Sequence, residues 1–178
     1  MTDEIASAND GNELRFTRVF DAPRTLVFRC MVEPDHLTHF WGPTGMHAPR
    51  ERITVDARPG GVFEIVMVRD DGAGEHTLRA VYDVVDEPEV LAWTEVDTGA
   101  RVRTEFIELD PERTEIRIHQ TRVPDAFMAT EAQAGFKSSL DRFAAHLGRR
   151  DRLRYRDTAR GRSSRRWRCG RHGLRNWA

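Results

Sequence analysis

The hydrophobic period of this chain changes once between residues 50 and 147, from two to 3.6, and that change limits what it can fold into. Ile53 and Val55 alternate with Arg52, Thr54 and Asp56, and Phe63, Ile65 and Met67 share one face of the next run. Turn signals punctuate the stretch: Arg58-Pro59-Gly60-Gly61, Asp70-Asp71-Gly72-Ala73-Gly74, Glu87-Pro88-Glu89, Asp97-Thr98-Gly99 and Asp110-Pro111-Glu112. They predict further strands over 77–85, 90–96, 101–109 and 114–122. Short strands separated by turns this regular indicate an antiparallel meander, not a parallel sheet. Beyond it, Met128, Ala132, Phe136, Leu140, Phe143 and Leu147 are spaced three or four apart and form one apolar stripe. The spacing predicts one helix over 126–147, capped by Asp125 and stopped by Gly148. Such a helix is roughly 33 Å long, enough to cross a sheet.

Before the meander the pattern is more broken. Leu14 and Phe16 open a strand with Arg15 and Arg18 interleaved, and Val19-Phe20 breaks the alternation late. Asp21-Ala22-Pro23 predicts a helix start with an Asp cap, giving a short helix over 23–31. A second start at Glu33-Pro34-Asp35 leads to Trp41, and Gly42-Pro43 ends it.

Charge divides the chain. The net charge of −1 is an average. Residues 149–178 hold 12 Arg and 2 Asp, leaving 16 basic and 27 acidic side chains before them. The expected organisation is a disordered leader at 1–13, one domain at 14–148 and an Arg-rich disordered tail at 149–178. The tail lacks Ile, Val, Met and Phe, too little apolar surface to offset the entropy of ordering. Arg165-Arg166-Trp167-Arg168 suggests weak, sequence-blind contact with nucleic acid. Out-of-frame reading of GC-rich DNA is the preferred account of this composition over specific nucleic-acid binding, and a tail folding back onto the acidic domain is the other alternative. With mean hydropathy −0.62, no run approaches the roughly 18 apolar residues of a membrane span. The acidic start does not read as a signal peptide. Cys30 and Cys169 lie too far apart to suggest a disulfide framework, so a cytoplasmic location is expected.

Several short motifs carry a resemblance when taken in order: Phe20-Asp21-Ala22-Pro23, Glu33-Pro34-Asp35-His36-Leu37, Phe40-Trp41-Gly42-Pro43, and Arg58-Pro59-Gly60-Gly61. Met67, Asp71-Gly72, the strand over 91–95 and Gly135-Phe136 continue the series. Over residues 14–147 the chain resembles the SRPBCC superfamily, which is START-like and birch-pollen-allergen-like. Within it the chain is similar to the branch related to the C-terminal domain of the activator of heat shock protein 90 ATPase. The resemblance implies an α+β helix-grip fold, a curved antiparallel sheet wrapped around a long C-terminal helix with two short helices after the first strand. It also implies a pocket between sheet and helix, and it implies no metal and no cofactor. Phe40 and Phe136 stand where a Trp is common in the family, and the tail matches nothing in it.

Alternation then suggests which side chains look into that pocket. Phe63 and Met67, Trp93 and Glu95, Thr104 and Phe106, and Gln120 lie on inward registers, with Phe136 and Leu140 on the helix stripe. Trp41 is expected at the rim. Tyr82 is a further candidate, although its strand is apolar on both faces. Each aromatic position also suits a filled core, and Glu95 is the most informative, since a buried carboxylate needs a partner or a raised pKa. His36 and His39, three apart on one side of a helix, with His47 nearby, raise a metal reading. No carboxylate or Cys completes an obvious set, so no metal site is expected. His119, between Ile118 and Gln120, is expected to face outward. Cys30, among Phe28, Met31 and Val32, reads as a small buried hydrophobe. No catalytic residue is assigned, because neither a Gly-x-Ser-x-Gly elbow nor an acid/base pair at readable spacing occurs. The leading expectation is non-catalytic binding of a small, mostly apolar or aromatic molecule. A protein-interaction module similar to a heat shock protein 90 co-chaperone domain, with a chaperone as partner, and a polyketide cyclase-like enzyme are the alternatives.

Overall fold

A computed structural model describes residues 4–6 and 12–161, with side chains over 12–149. Two strands open it, β1 (Glu4–Ala6) and β2 (Leu14–Phe20). Helices α1 (Arg24–Val32) and α2 (Pro34–Leu37) follow. The meander then runs β3 (Met46–His47), β4 (Ile53–Val55), β5 (Val62–Arg69), β6 (Glu75–Asp86), β7 (Val90–Glu95), β8 (Arg101–Asp110) and β9 (Arg113–Thr121). Two helices close the described chain, α3 (Asp125–Met128) and α4 (Thr130–Gly161). The strands form one antiparallel sheet in the order β1-β2-β9-β8-β7-β6-β5-β3, with β4 also paired to β5. β2 returns to pair with β9, so the sheet curls, and α4 lies in its concave face. This is the helix-grip α+β fold.

Turn chemistry placed the six main strands of the meander correctly. The structure departs from the sequence reading in several places, one being that α2 ends at Leu37, short of the expected Trp41. Glu4–Ala6 pairs antiparallel with Arg15–Thr17, so part of the supposed leader is a strand. Strict alternation persists through β2, which turns Leu14, Phe16, Arg18 and Phe20 inward and leaves Val19 half-buried on the other face. Arg18 is tolerated there because it reaches α4, donating from Nη1 to Oδ1 of Asp141 at 2.6 Å. α1 starts at Arg24 with Pro23 as its cap residue and no side-chain cap, so Asp21 does not serve as one.

The last two departures concern apolar periodicity. β6 shifts register between Tyr82 and Val84. That bulge moves the inward parity from Ala80 and Tyr82 to Val85, which explains apolar residues on both apparent faces. The expected single helix is two: Ala129 takes an extended ψ of 144° and separates α3 from α4. Asp125 does not cap; its carboxylate receives the Asn12 amide at 2.7 Å. Gly148 does not stop the helix, which continues to Gly161. A single Gly costs only about 1 kcal/mol in a helix interior, less than its neighbours can supply. The remainder of the tail, 162–178, lies outside the described residues, as do 1–3 and 7–11. Among the described residues no helix is long and apolar enough to cross a membrane.

The core is continuous but not uniformly filled. Under the middle turns of α4 it is dense: Phe143 is fully buried, stacked on Phe40 at 4.1 Å and tilted against Phe20 at 4.7 Å. Leu37, Val27 and Leu147 complete that end. Towards the N-terminal half the helix stands off the sheet, leaving the space described next.

Candidate functional site

A cavity of about 400 Å³ lies between the sheet and the first three turns of α4. Its helix wall is Ala132, Gly135, Phe136, Ser139 and Leu140. The opposite wall comes from inward registers of the sheet: Phe16, Met67, Trp93, Val102, Thr104, Ile118 and Gln120. Phe136 packs on Phe16 with centroids 4.5 Å apart, which sets the distance between helix and sheet here. The exposed residues that line it mark the mouth: His76 at the start of β6, Phe127 on α3 and Glu131 on α4. The ring of His76 meets that of Phe127 at 6.3 Å across the opening. Phe127 reaches it because the chain breaks at Ala129, leaving the ring 44% exposed.

The loop after α2 forms the rest of the rim. Trp41 is half-buried and packs edge-on against Phe63 at 5.2 Å. Gly42 holds φ at +105°, a conformation that favours glycine, and turns the chain past Met67. A Cβ on Gly135 would stand 3.2 Å from the Cβ of Pro43, so the absent side chain lets this loop close on α4. Arg142 fixes the same loop, donating to the carbonyls of Met46 at 2.8 Å and Gly42 at 3.1 Å.

Most of the side chains picked from sequence meet here. Trp41, Met67, Trp93 and Glu95 line the cavity, and so do Thr104, Gln120, Phe136 and Leu140. Phe63, Tyr82 and Phe106 do not. Phe63 is buried behind the wall, against Trp41, Tyr82 and Trp93. Tyr82 does face inward but lies deeper than the lining, and burial pushes its phenol well above the usual range. Phe106 belongs to the dense end, against Phe28 at 5.1 Å. Alternation assigns a face, and these three share the inner face at levels the cavity does not reach.

The polar chemistry of the cavity is sparse. Glu95 is half-buried and accepts a hydrogen bond from the Thr98 hydroxyl at 2.7 Å, so it is neither isolated nor fully sequestered. Thr104 is fully buried and Trp93 is 4% exposed, and neither Oγ1 of Thr104 nor Nε1 of Trp93 has a hydrogen-bond partner. A buried polar group without a partner costs about 1–3 kcal/mol, and the Tyr82 hydroxyl behind the wall is in the same state among the described residues. Among the described residues no Arg or Lys side chain lines the cavity; its charged lining residues are Glu95 and Glu131, with His76 at the mouth.

The histidines of the sequence reading do not assemble as a set. His47 lies on β3 and pairs with Asp70 at 2.7 Å. His36 is 2% exposed and meets His146 of α4, Nδ1 to Nε2, at 2.9 Å. His39 stacks on His146 with centroids 4.7 Å apart. His146 escaped the sequence reading because its only local signal is its place three residues after Phe143. His119 faces away from the core and meets Glu13 at 2.9 Å, which holds the Glu13 carboxyl below its usual range.

The family follows from the comparison with known proteins. A family model described as activator of Hsp90 ATPase homolog 1-like protein matches residues 21–148. The chain belongs to this family. Solved structures agree on the fold. A Chromobacterium violaceum protein is 24% identical, with a TM-score of 0.70, over 76% of this chain and 97% of its own. A Mycobacterium smegmatis protein is 22% identical, with a TM-score of 0.71, over 82% of this chain and 96% of its own. The AHSA1-like protein of Aeromonas hydrophila is 19% identical, with a TM-score of 0.66, over 77% and 94%. No curated protein matches the chain. At these identities the structures speak for the fold of this AHSA1-like domain, and function rests on the site.

Proposed function

We propose that this AHSA1-like domain binds a small, mostly apolar molecule in the cavity under α4 without transforming it. One observation carries the reading: a 400 Å³ space with mostly apolar walls, whose lining includes Trp93 and Thr104. The volume is that of a small-molecule site. Nε1 of Trp93 and Oγ1 of Thr104 are closed off from solvent and without a partner among the described residues, and a small shift of the wall would let them meet a carbonyl or hydroxyl. The charged lining is acidic, which disfavours a carboxylate and favours a neutral ring or chain.

The test is a thermal-shift and calorimetric screen of the full chain against neutral aromatic ketones, long-chain alcohols and the matching carboxylic acids. A ligand at 100 times its Kd adds about 2.7 kcal/mol of stability. Neutral compounds are expected to shift the melting temperature more than their acids, and Ala132→Phe, which fills the cavity, is expected to abolish the shift. No shift with any compound would overturn the reading. The family match also supports a co-chaperone-like module. A purified Hsp90 that binds the domain equally well with the cavity filled by Ala132→Phe would favour that second reading.

A further inference from the structure

A second cluster forms on the dense side of the molecule, outside the cavity lining. Cys30 on α1, His36 on α2 and His146 on α4 offer one sulfur and two imidazole nitrogens, all within 4.8 Å of one another. We propose that these three side chains form a Zn2+ site that ties the two short helices to the long one.

The geometry carries this. Nδ1 of His36 and Nε2 of His146 are 2.9 Å apart. Two imidazole nitrogens on a tetrahedral zinc stand about 3.3 Å apart, so the pair needs to open by only a few tenths of an ångström. A thiolate with two imidazoles suits zinc among the common divalent ions, and carboxylate-preferring ions such as Mg2+ are poorly served. Three protein ligands leave a fourth position for water or a small anion.

The surroundings are those of a metal-binding histidine. Nε2 of His36 lies 3.3 Å from Oε2 of Glu33, which favours the proton on Nε2 and leaves the Nδ1 lone pair directed at His146. Ligating histidines commonly present their second nitrogen to a carboxylate in this way. Glu33 is itself held by Arg29, whose Nε donates to Oε1 at 2.8 Å. His39 stacks on the His146 ring with planes 20° apart, fixing its orientation. Cys30 and His36 are buried, while His146 is half-buried and gives a route to solvent. On binding, the Cys30 thiol loses its proton to solvent and His146 keeps one proton, on Nδ1. The cation and the thiolate then leave one positive charge, opposite the Glu33 carboxylate.

The experiment uses the full chain freed of metal by chelation and titrated with Co2+, then Zn2+. Co2+ is expected to give a thiolate-to-cobalt charge-transfer band that one equivalent of Zn2+ removes. Cys30→Ser should abolish the band, and Cys169→Ser should leave it intact. His146→Gln, at a half-exposed position, should weaken Zn2+ binding at least 100-fold while the circular dichroism spectrum stays native. Glu33→Gln should weaken it about 10–100-fold. No band at saturating Co2+ overturns the proposal. A band that survives Cys30→Ser or disappears in Cys169→Ser, or an undiminished Zn2+ affinity in His146→Gln, also overturns it by placing the metal elsewhere.

Discussion

Helix α4 lies over two different interiors. Its first three turns roof a cavity through Ala132, Phe136 and Leu140, and its middle turns seal a dense core through Phe143 and Leu147. The apolar stripe is the same along both. What differs is what rises to meet it. Below Phe143 stand Phe20 and Phe40, two rings in direct contact. Below Phe136 stands Phe16 alone, with Met67 and Thr104 further back across the space. The sheet curls away from the helix here, and Phe127 turns to the mouth instead of filling it. One helix thus supplies stability through its middle turns and a binding volume under its first three.

The contrast can be broken by mutation. Phe143→Ala empties a fully buried site that cannot collapse, and should cost about 3–5 kcal/mol in urea denaturation. Phe136→Ala removes a half-buried ring that already borders a void, and should cost about 1–2 kcal/mol. Equal losses would mean that the two halves of α4 are not energetically distinct. A smaller change sharpens the comparison. Thr104→Val removes the unpartnered hydroxyl and keeps its shape, and should stabilise the ligand-free protein by up to about 1 kcal/mol. The same variant should bind a ketone ligand several-fold more weakly by calorimetry. A loss of stability would show that the hydroxyl has a partner.

The smallest effect is a control remote from both halves. Asp71, in the β5–β6 turn, has its carboxyl held far below the usual range, first by Arg69 and then by the Ala73 amide. A depressed carboxylate pKa stabilises the folded state above the ordinary value of 3.8, and that stabilisation fades as pH falls through the range below it. Asp71→Asn should therefore melt slightly below the parent at pH 7, with the gap narrowing at pH 3. A gap that widens in acid would reverse the sign of this linkage.

Particular residues show how far the sequence could be read. Turn chemistry placed β5 to β9 because Pro, Gly and Asp act locally on the backbone. Helix ends were read less well. Asp125 looks like a cap but bonds Asn12, and the break at Ala129 carries no Gly or Pro to announce it. In the site, period two selected Trp93, Thr104 and Gln120 correctly as cavity-lining. It could not separate them from Phe106, which shares the inner face but meets Phe28.

The sequence by itself determined the order of elements, the inward face of most strands and the stripe of α4. Those properties depend on neighbours within four residues along the chain, and a pattern of side chains encodes them directly. Only the tertiary structure decided where the interior is empty, which polar atoms lack partners, and that Cys30, His36 and His146 share one corner. These depend on residues brought together from positions more than 100 apart in the chain, as His36 and His146 are. Their separation is set by how far the sheet curls before α4 crosses it, a balance of packing over the whole domain that no local pattern records.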